Sequence, residues 1–230
     1  EIRISDVARW TEDFTPPDKP YSGSAGILPV GYTPLQYIES TGSQYIDTEL
    51  IPNQDTEFEV KFSTTNALSA GGSFGTILGS RESYQSQGYQ LTTYTMYTTG
   101  GHFMYGSNSN ADLVRYEANI NNTGVAQTIS LRNHKLTTGN GDIVNLPTDV
   151  TINSSQALLL FGLRDRTFVG EFSSTKMYFC KLWNGENMVR SFVPALRDED
   201  GAVGMYCMIT NKFYSNSGTG DFVAGPEAEA

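Results

Sequence analysis

Apolar and polar side chains alternate most cleanly at 57–63, where Phe58, Val60 and Phe62 interleave with Glu57, Glu59 and Lys61. Successive side chains of a strand point to opposite faces, so this pattern predicts a strand with one buried and one wet face. Shorter strand patterns surround it. Residues 37–48 (YIESTGSQYIDT) predict a hairpin around Thr41-Gly42. Strands are expected at 76–79, 89–97, 102–105, 115–120 and 128–132, followed by a turn-rich 137–142. The run ALLLFGL at 157–163 is apolar throughout, as in a central strand buried on both faces. Residues 176–183 and 189–194 close on Asn184-Gly185, a strong hairpin signal. Strands at 204–209 and 212–214 flank Thr210-Asn211, and 221–224 supplies the last. Many short strands with frequent turn signals and no long helical period predict an all-β sandwich or jelly roll.

The N-terminal end has a different texture. In EIRISDVARW, Ile2 and Ile4 alternate with polar neighbours like a half-buried strand. The following TEDFTPPDKPYSGSAG has the prolines and small residues of a linker, which puts a domain boundary within 18–31. The sequence strand, break, Phe14-Thr15-Pro16 is echoed by strand, break, Phe192-Val193-Pro194. Either strand–turn–Pro recurs by chance, or the first copy closes an earlier domain. A first residue of Glu rather than Met points to processing or truncation of a longer protein. The final 226–230 are expected to be disordered.

Composition narrows the partners. A net charge of −10 argues against nucleic acid, whose phosphates need clustered Lys and Arg. No apolar stretch approaches the length of a membrane span. Cys180 and Cys207 are the only cysteines, too few for a disulfide framework and without the C-x-x-C spacing of a zinc site. Two half-buried reduced thiols are expected.

Catalytic patterns are weak. Gly71-Gly72-Ser73-Phe74-Gly75 matches G-x-S-x-G, but that serine needs a strand-to-helix turn and here lies in a glycine-rich loop between strands. His102 and His134 have neither triad nor metal spacing. No E-x-D-x-E run places paired carboxylates on one strand face, as glycoside hydrolysis would need. Glu57 and Glu59, followed by Lys61, read as the solvent side of a strand. No enzyme is expected.

Two long phrases carry a family likeness. LPVGYTPLQYIESTGSQYIDTELIPNQDTEFEVKF and KMYFCKLWNGENMVRSFVPALRDEDGAVGMYCMITNKFYSNSGTGDFVAG resemble the opening and closing halves of concanavalin A-like (laminin G-like) domains of phage tail or virion proteins and gut bacterial surface proteins. The N-terminal EIRISDVARWTEDFTPP resembles the final strand of another such domain. The resemblance implies a two-sheet antiparallel jelly-roll sandwich over 32–225, preceded by the closing strand of an earlier domain at 1–17 and a linker at 18–31. It also raises calcium at a loop rim, with Asp198-Glu199-Asp200-Gly201, Asp47 or Asp165 as ligands. The residues themselves favour a charged turn at 198–201, so no cofactor is assigned and calcium stays open.

Glycan recognition uses planar aromatics beside amides, carboxylates and arginines. Tyr84, Tyr89, Tyr97 and Tyr105 fall in one stretch with Arg81, His102 and Asn108, and Arg164 lies in a second loop. These eight form the candidate ligand-binding set. The alternative for each tyrosine is core packing, and for Arg164-Asp165-Arg166 a salt-bridged turn. The expectation is a non-catalytic module of a phage fibre, virion or bacterial surface protein that binds a cell-surface glycan or host surface. The rival is a decoration or spacer domain acting through protein contacts, with homo-oligomers left open.

Overall fold

The computed structural model of the chain describes residues 28–65, 74–83, 88–94, 101–107, 113–120, 124–152 and 154–228. The strand expected within 1–17, most of the linker and Gly71 to Ser73 lie outside these residues. In chain order the first strands are β1 (Tyr32–Pro34), β2 (Ile38–Thr41), β3 (Ile46–Asp47), β4 (Thr56–Thr64), β5 (Phe74–Arg81), β6 (Gly88–Tyr94) and β7 (His102–Ser107). There follow β8 (Leu113–Glu117), β9 (Gln127–Arg132), β10 (Lys135–Thr137), β11 (Ile143–Asn145), β12 (Leu159–Leu160), β13 (Leu163–Arg164) and β14 (Val169–Gly170). The last are β15 (Ser174–Asn184), β16 (Asn187–Arg197), β17 (Val203–Cys207), β18 (Lys212–Tyr214) and β19 (Val223–Ala224).

They form two sheets. The first runs β11-β10-β9-β4-β15-β16-β17-β18, with β1 on β16, β2 on β15 and β19 on β2. The second runs β14-β13-β5-β6-β7-β8, with β12 joining β3 to β5. Every pairing between these strands is antiparallel except β13 on β5. The protein is an all-β, two-sheet antiparallel sandwich of jelly-roll type.

The alternation at β4 sets the inner face of the first sheet. Phe58, Val60 and Phe62 are fully buried, while Glu57, Glu59 and Lys61 are half-buried on the outside. On the neighbouring β15 the register shifts between Met177 and Phe179. A bulge adds a residue to one strand, so Met177 and Cys180, three apart, both face inward. From the second sheet come Leu78, Tyr89, Leu91, Phe103 and Tyr105. Phe58 meets Phe103 at 5.3 Å and Tyr89 at 6.2 Å between ring centroids, so the layers interlock through rings. Tyr89 and Phe103 meet edge to face at 5.3 Å. Such pairs stabilise beyond the area they bury.

Three local expectations change. The strands flanking Thr41-Gly42 do not form a hairpin, because β2 joins the first sheet and β3 the second. The buried amide of Gln44 fills the corner, where its Oε1 accepts the Thr41 N–H at 2.9 Å. The run 157–163 does not form one strand. Leu159 and Leu160 pair on both sides, as a central strand does, but Phe161 then adopts φ 66°. That left-handed residue turns the chain, so β12 is antiparallel to β5 and β13 parallel to it. The third change is at the β15–β16 turn, which is centred on Gly185-Glu186 rather than Asn184-Gly185. Asn184 pairs with Asn187, and Gly185 takes φ 59° with open space around it.

Cys180 and Cys207 are free and wholly buried, rather than half-buried, on strands either side of Phe192. Burial pushes the Cys180 thiol up, with Cys207 adding to the effect. Both thiols should therefore stay unreactive toward a disulfide reagent in the native protein and react only as it unfolds. A rapid stoichiometric reaction without loss of structure would contradict this packing. Phe103→Ala should destabilise the fold by about 3–5 kcal/mol in urea titration, because its ring touches both sheets.

Candidate rim site

Three turns gather at one end of the first sheet, because the strands they serve are neighbours there. The start of β4 pairs with the end of β15, Asn184 opposite Thr56, and with the end of β9, Leu131 opposite Phe58. Residues 54–55, 133–134 and 185–186 thus share one rim. Arg132 pairs with Lys135, leaving Asn133 and His134 as a two-residue turn with φ of 50° and 56°. Two positive values are what a type I′ hairpin requires. The Gly185 N–H donates to the Asp55 carbonyl at 2.7 Å and ties two of the turns together.

Between them lies a cavity of about 160 Å³. Around it stand Gln54, Asn133 and His134, the acidic residues Asp55, Glu57 and Glu186, and from below the nearly inaccessible Tyr105 and Leu131. The Tyr105 hydroxyl donates to the Gln54 carbonyl at 3.0 Å, and Tyr89 donates to the Thr56 carbonyl at 2.8 Å. Two core tyrosines thus hold the wall of the cavity from below. Glu57 is fixed by the Asn133 N–H at 2.5 Å and by Arg132 at 3.2 Å. Arg132 itself lies over the Trp183 ring at 4.0 Å. The Tyr105 hydroxyl is pushed up to about 12, by burial first and then by the negative charge of Asp55 and Glu57.

The expected ligand-binding residues do not come together at one surface. Tyr84, Tyr97 and Asn108 lie outside the described residues. Tyr89 is fully buried and Tyr105 is 1% exposed, so neither ring offers a face for a sugar to stack on. They face inward because β6 and β7 put Tyr89, Leu91, Phe103 and Tyr105 on the core side of the pleat. Only Tyr105 reaches the cavity.

Arg81 is buried, and its guanidinium bridges Asp165 at 3.3 Å and Glu171 at 3.4 Å. This is an internal ion triad rather than an open anion or sugar contact. Gln90 extends it, donating to Glu171 at 2.8 Å and to the Thr76 hydroxyl at 2.9 Å. Glu171 takes φ 49° to present its carboxylate there. His102 pairs with Glu117 across β7 and β8 at 3.2 Å. Arg164 pairs with Asp47 at 2.7 Å, the salt bridge binding β13 toward β3.

The four aspartates considered for calcium, Asp47, Asp165, Asp198 and Asp200, accept from protein donors. Asp200 is held by Arg197 at 2.9 and 2.6 Å. Arg197 first, then the Ala202 N–H, lower its carboxyl to about 2. Asp198 accepts from the Thr33 hydroxyl at 2.8 Å, and Asp165 from Thr167 and Arg81. Among the described residues no group of three or more His, Cys, Asp or Glu is gathered to hold a metal ion.

Of the rim acids only Glu57 stood out in the sequence, as the solvent side of a strand. Nothing in the sequence links Asp55, Asn133 and Glu186, which meet because β9, β4 and β15 pair in register. No protein-family model matches the chain, and no curated protein matches it.

The triad has a pH signature. Burial alone would raise the Asp165 carboxyl, but Thr167 and Arg81 outweigh it and hold it below the usual range. A lowered folded value means stability that is complete above the ordinary aspartate range, about 3.9, and is lost as pH falls through the folded value. Arg81→Met should cost about 3 kcal/mol at neutral pH, since it strands two carboxylates. It should also flatten the acid limb of stability against pH, read by urea unfolding from neutrality downward. An unchanged acid limb would place the coupling elsewhere.

Proposed function

We propose that this is a non-catalytic binding module that takes a glycan of a cell or host surface at the rim cavity. The observation that carries the reading is the lining: the amide residues Gln54 and Asn133 and the acidic residues Asp55, Glu57 and Glu186 meet around one small concavity. Sugars offer many hydroxyls, and a few fixed polar groups around a concavity can orient them. Turns held by core strands suit this role, because they are open to ligand while their positions are set by a rigid scaffold. Glu57 spends its oxygens on Asn133 and Arg132, which fixes its carboxylate in place at the rim. The likeness to virion and bacterial surface domains supports a setting on a phage fibre, a capsid surface or a cell surface.

A second reading is a decoration or spacer domain working through protein contacts. What favours it is Phe168 beside Val169, 43% and 38% exposed at the β14 edge of the second sheet. Light scattering separates the two, since a stable oligomer dissolved by Phe168→Ser would support the spacer role.

A glycan array should return saccharide hits whose binding falls about tenfold on Gln54→Ala, the scale of one lost polar contact. Chelator should leave the binding unchanged. An array without hits, or hits indifferent to every cavity substitution, would overturn the glycan reading.

A further inference from the structure

We propose that Asn184 is a modification site: the Gly185 nitrogen attacks its carboxamide, and the β15–β16 turn at the rim converts to aspartate or isoaspartate. This stands on the turn alone and does not depend on the glycan reading.

The chemistry needs only water. The Gly185 nitrogen gives up its proton to solvent base, and its lone pair forms a bond to Asn184 Cγ. The Cγ–Nδ2 bond breaks and ammonia leaves, which closes a succinimide ring. Water then opens either imide carbonyl. Opening at Cγ leaves aspartate. Opening at the Asn184 main-chain carbonyl leaves isoaspartate, with an extra carbon in the backbone. Glycine favours the closure because it has no Cβ to shield the nitrogen. The rate of such an intramolecular step depends on how often the reacting atoms meet in the right orientation.

Three dipeptides of the sequence have this potential, Asn140-Gly141, Asn184-Gly185 and Asp200-Gly201. All three are exposed, and a Cβ at any of the glycines would meet nothing within 4 Å. Each glycine N–H donates to a carbonyl: Gly141 to Thr138 at 2.9 Å, Gly185 to Asp55 at 2.7 Å and Gly201 to Arg197 at 2.9 Å. The nucleophiles are therefore matched, and what differs is the group attacked. Asn140 is held at both ends of its carboxamide, since Oδ1 accepts from the Thr138 hydroxyl at 2.5 Å and Nδ2 donates to Asp142 at 2.7 Å. Asp200 is clamped by Arg197 at 2.9 and 2.6 Å, and a carboxylate held ionised is a poor electrophile. The Asn184 carboxamide makes no hydrogen bond among the described residues, so it is free to rotate onto the Gly185 nitrogen.

The bond to Asp55 is the brake. The Gly185 N–H must leave the Asp55 carbonyl before its nitrogen can attack, so the reaction proceeds through local opening of the rim turn. Conversion to aspartate or isoaspartate puts a new carboxylate two residues from Glu186 in that turn.

The test incubates the full chain in warm, mildly alkaline buffer and follows acid and isoaspartate at each site by peptide mapping and mass spectrometry. A parallel sample is kept unfolded in guanidinium. In the native chain Asn184 should convert about tenfold faster than Asn140, the scale of one hydrogen bond to be broken. In the unfolded chain the two rates should converge. Equal native rates, or one ratio in both samples, would overturn the proposal. So would an Asn184 that stays intact in the native chain while the unfolded chain converts, since the Asp55 tie would then suppress the reaction. Asp142→Ala, an exposed change that removes the acceptor of Asn140 Nδ2, should speed Asn140 and leave Asn184 unchanged. An Asn140 rate indifferent to it would overturn the restraint on which the selection rests. Asn184→Gln should abolish isoaspartate at the turn; its persistence there would place the reaction at another residue.

Discussion

Two hydroxyl groups at the bottom of the core govern much of this structure. Tyr89 and Tyr105 bring large rings into the space between the sheets, and each ring carries an O–H that cannot be left dry. Their partners are the carbonyls of Thr56 and Gln54, at the entrance to β4. The bonds cross from one sheet to the other, so they fix how the layers sit as well as filling the core. They also fix where β4 begins, and β4 is the strand between β9 and β15. The rim cavity is a consequence of that anchoring, since its wall is the segment the two hydroxyls hold.

The second sheet solves a different problem. Side chains alternating with Tyr89, Leu91, Phe103 and Tyr105 include Gln90, Thr92 and His102, all nearly inaccessible. Buried polar groups are tolerable only when paired. Arg81, Asp165, Glu171, Gln90 and Thr76 supply one another with partners, and the positive φ at Glu171 is part of the arrangement. The Gln90 Oε1 is left without a partner among the described residues. Its amide orientation is settled by the neighbouring carboxylate, which accepts from Nε2. The network pins 165–171 to β5, so it reads as a clasp on the sheet rather than a ligand site.

The two sheets therefore divide the labour. Polar groups of the second are consumed in holding the molecule together. At the rim of the first, unpaired carboxylates and amides remain beside a concavity. Arg81 in its tyrosine-rich stretch and Asp55 in the turn before β4 differ in whether a charged partner stands within reach.

Much of the architecture was legible locally. Alternation at 57–63 defined the inner and outer faces of β4 because a strand repeats every two residues and a core demands one apolar face. The hairpin at 176–194 followed from turn chemistry in the same way. The break at Phe161 did not, because nothing in ALLLFGL says that a left-handed residue will split an apolar run between antiparallel and parallel pairing. The bulge in β15 was equally silent, since it depends on the register of β4. For the candidate site the limit was sharper. A tyrosine's sequence neighbours are the same whether it faces ligand or core, and only the opposing sheet decided that Tyr89 and Tyr105 face inward. Likewise, Asp55, Asn133 and Glu186 lie far apart along the chain, and strand pairing alone brings them to one rim. Periodicity is a property of neighbours in sequence, so the chain itself determined its strands and faces; partnership is a property of neighbours in space, so the tertiary structure decided which polar groups were spent on one another and which were not.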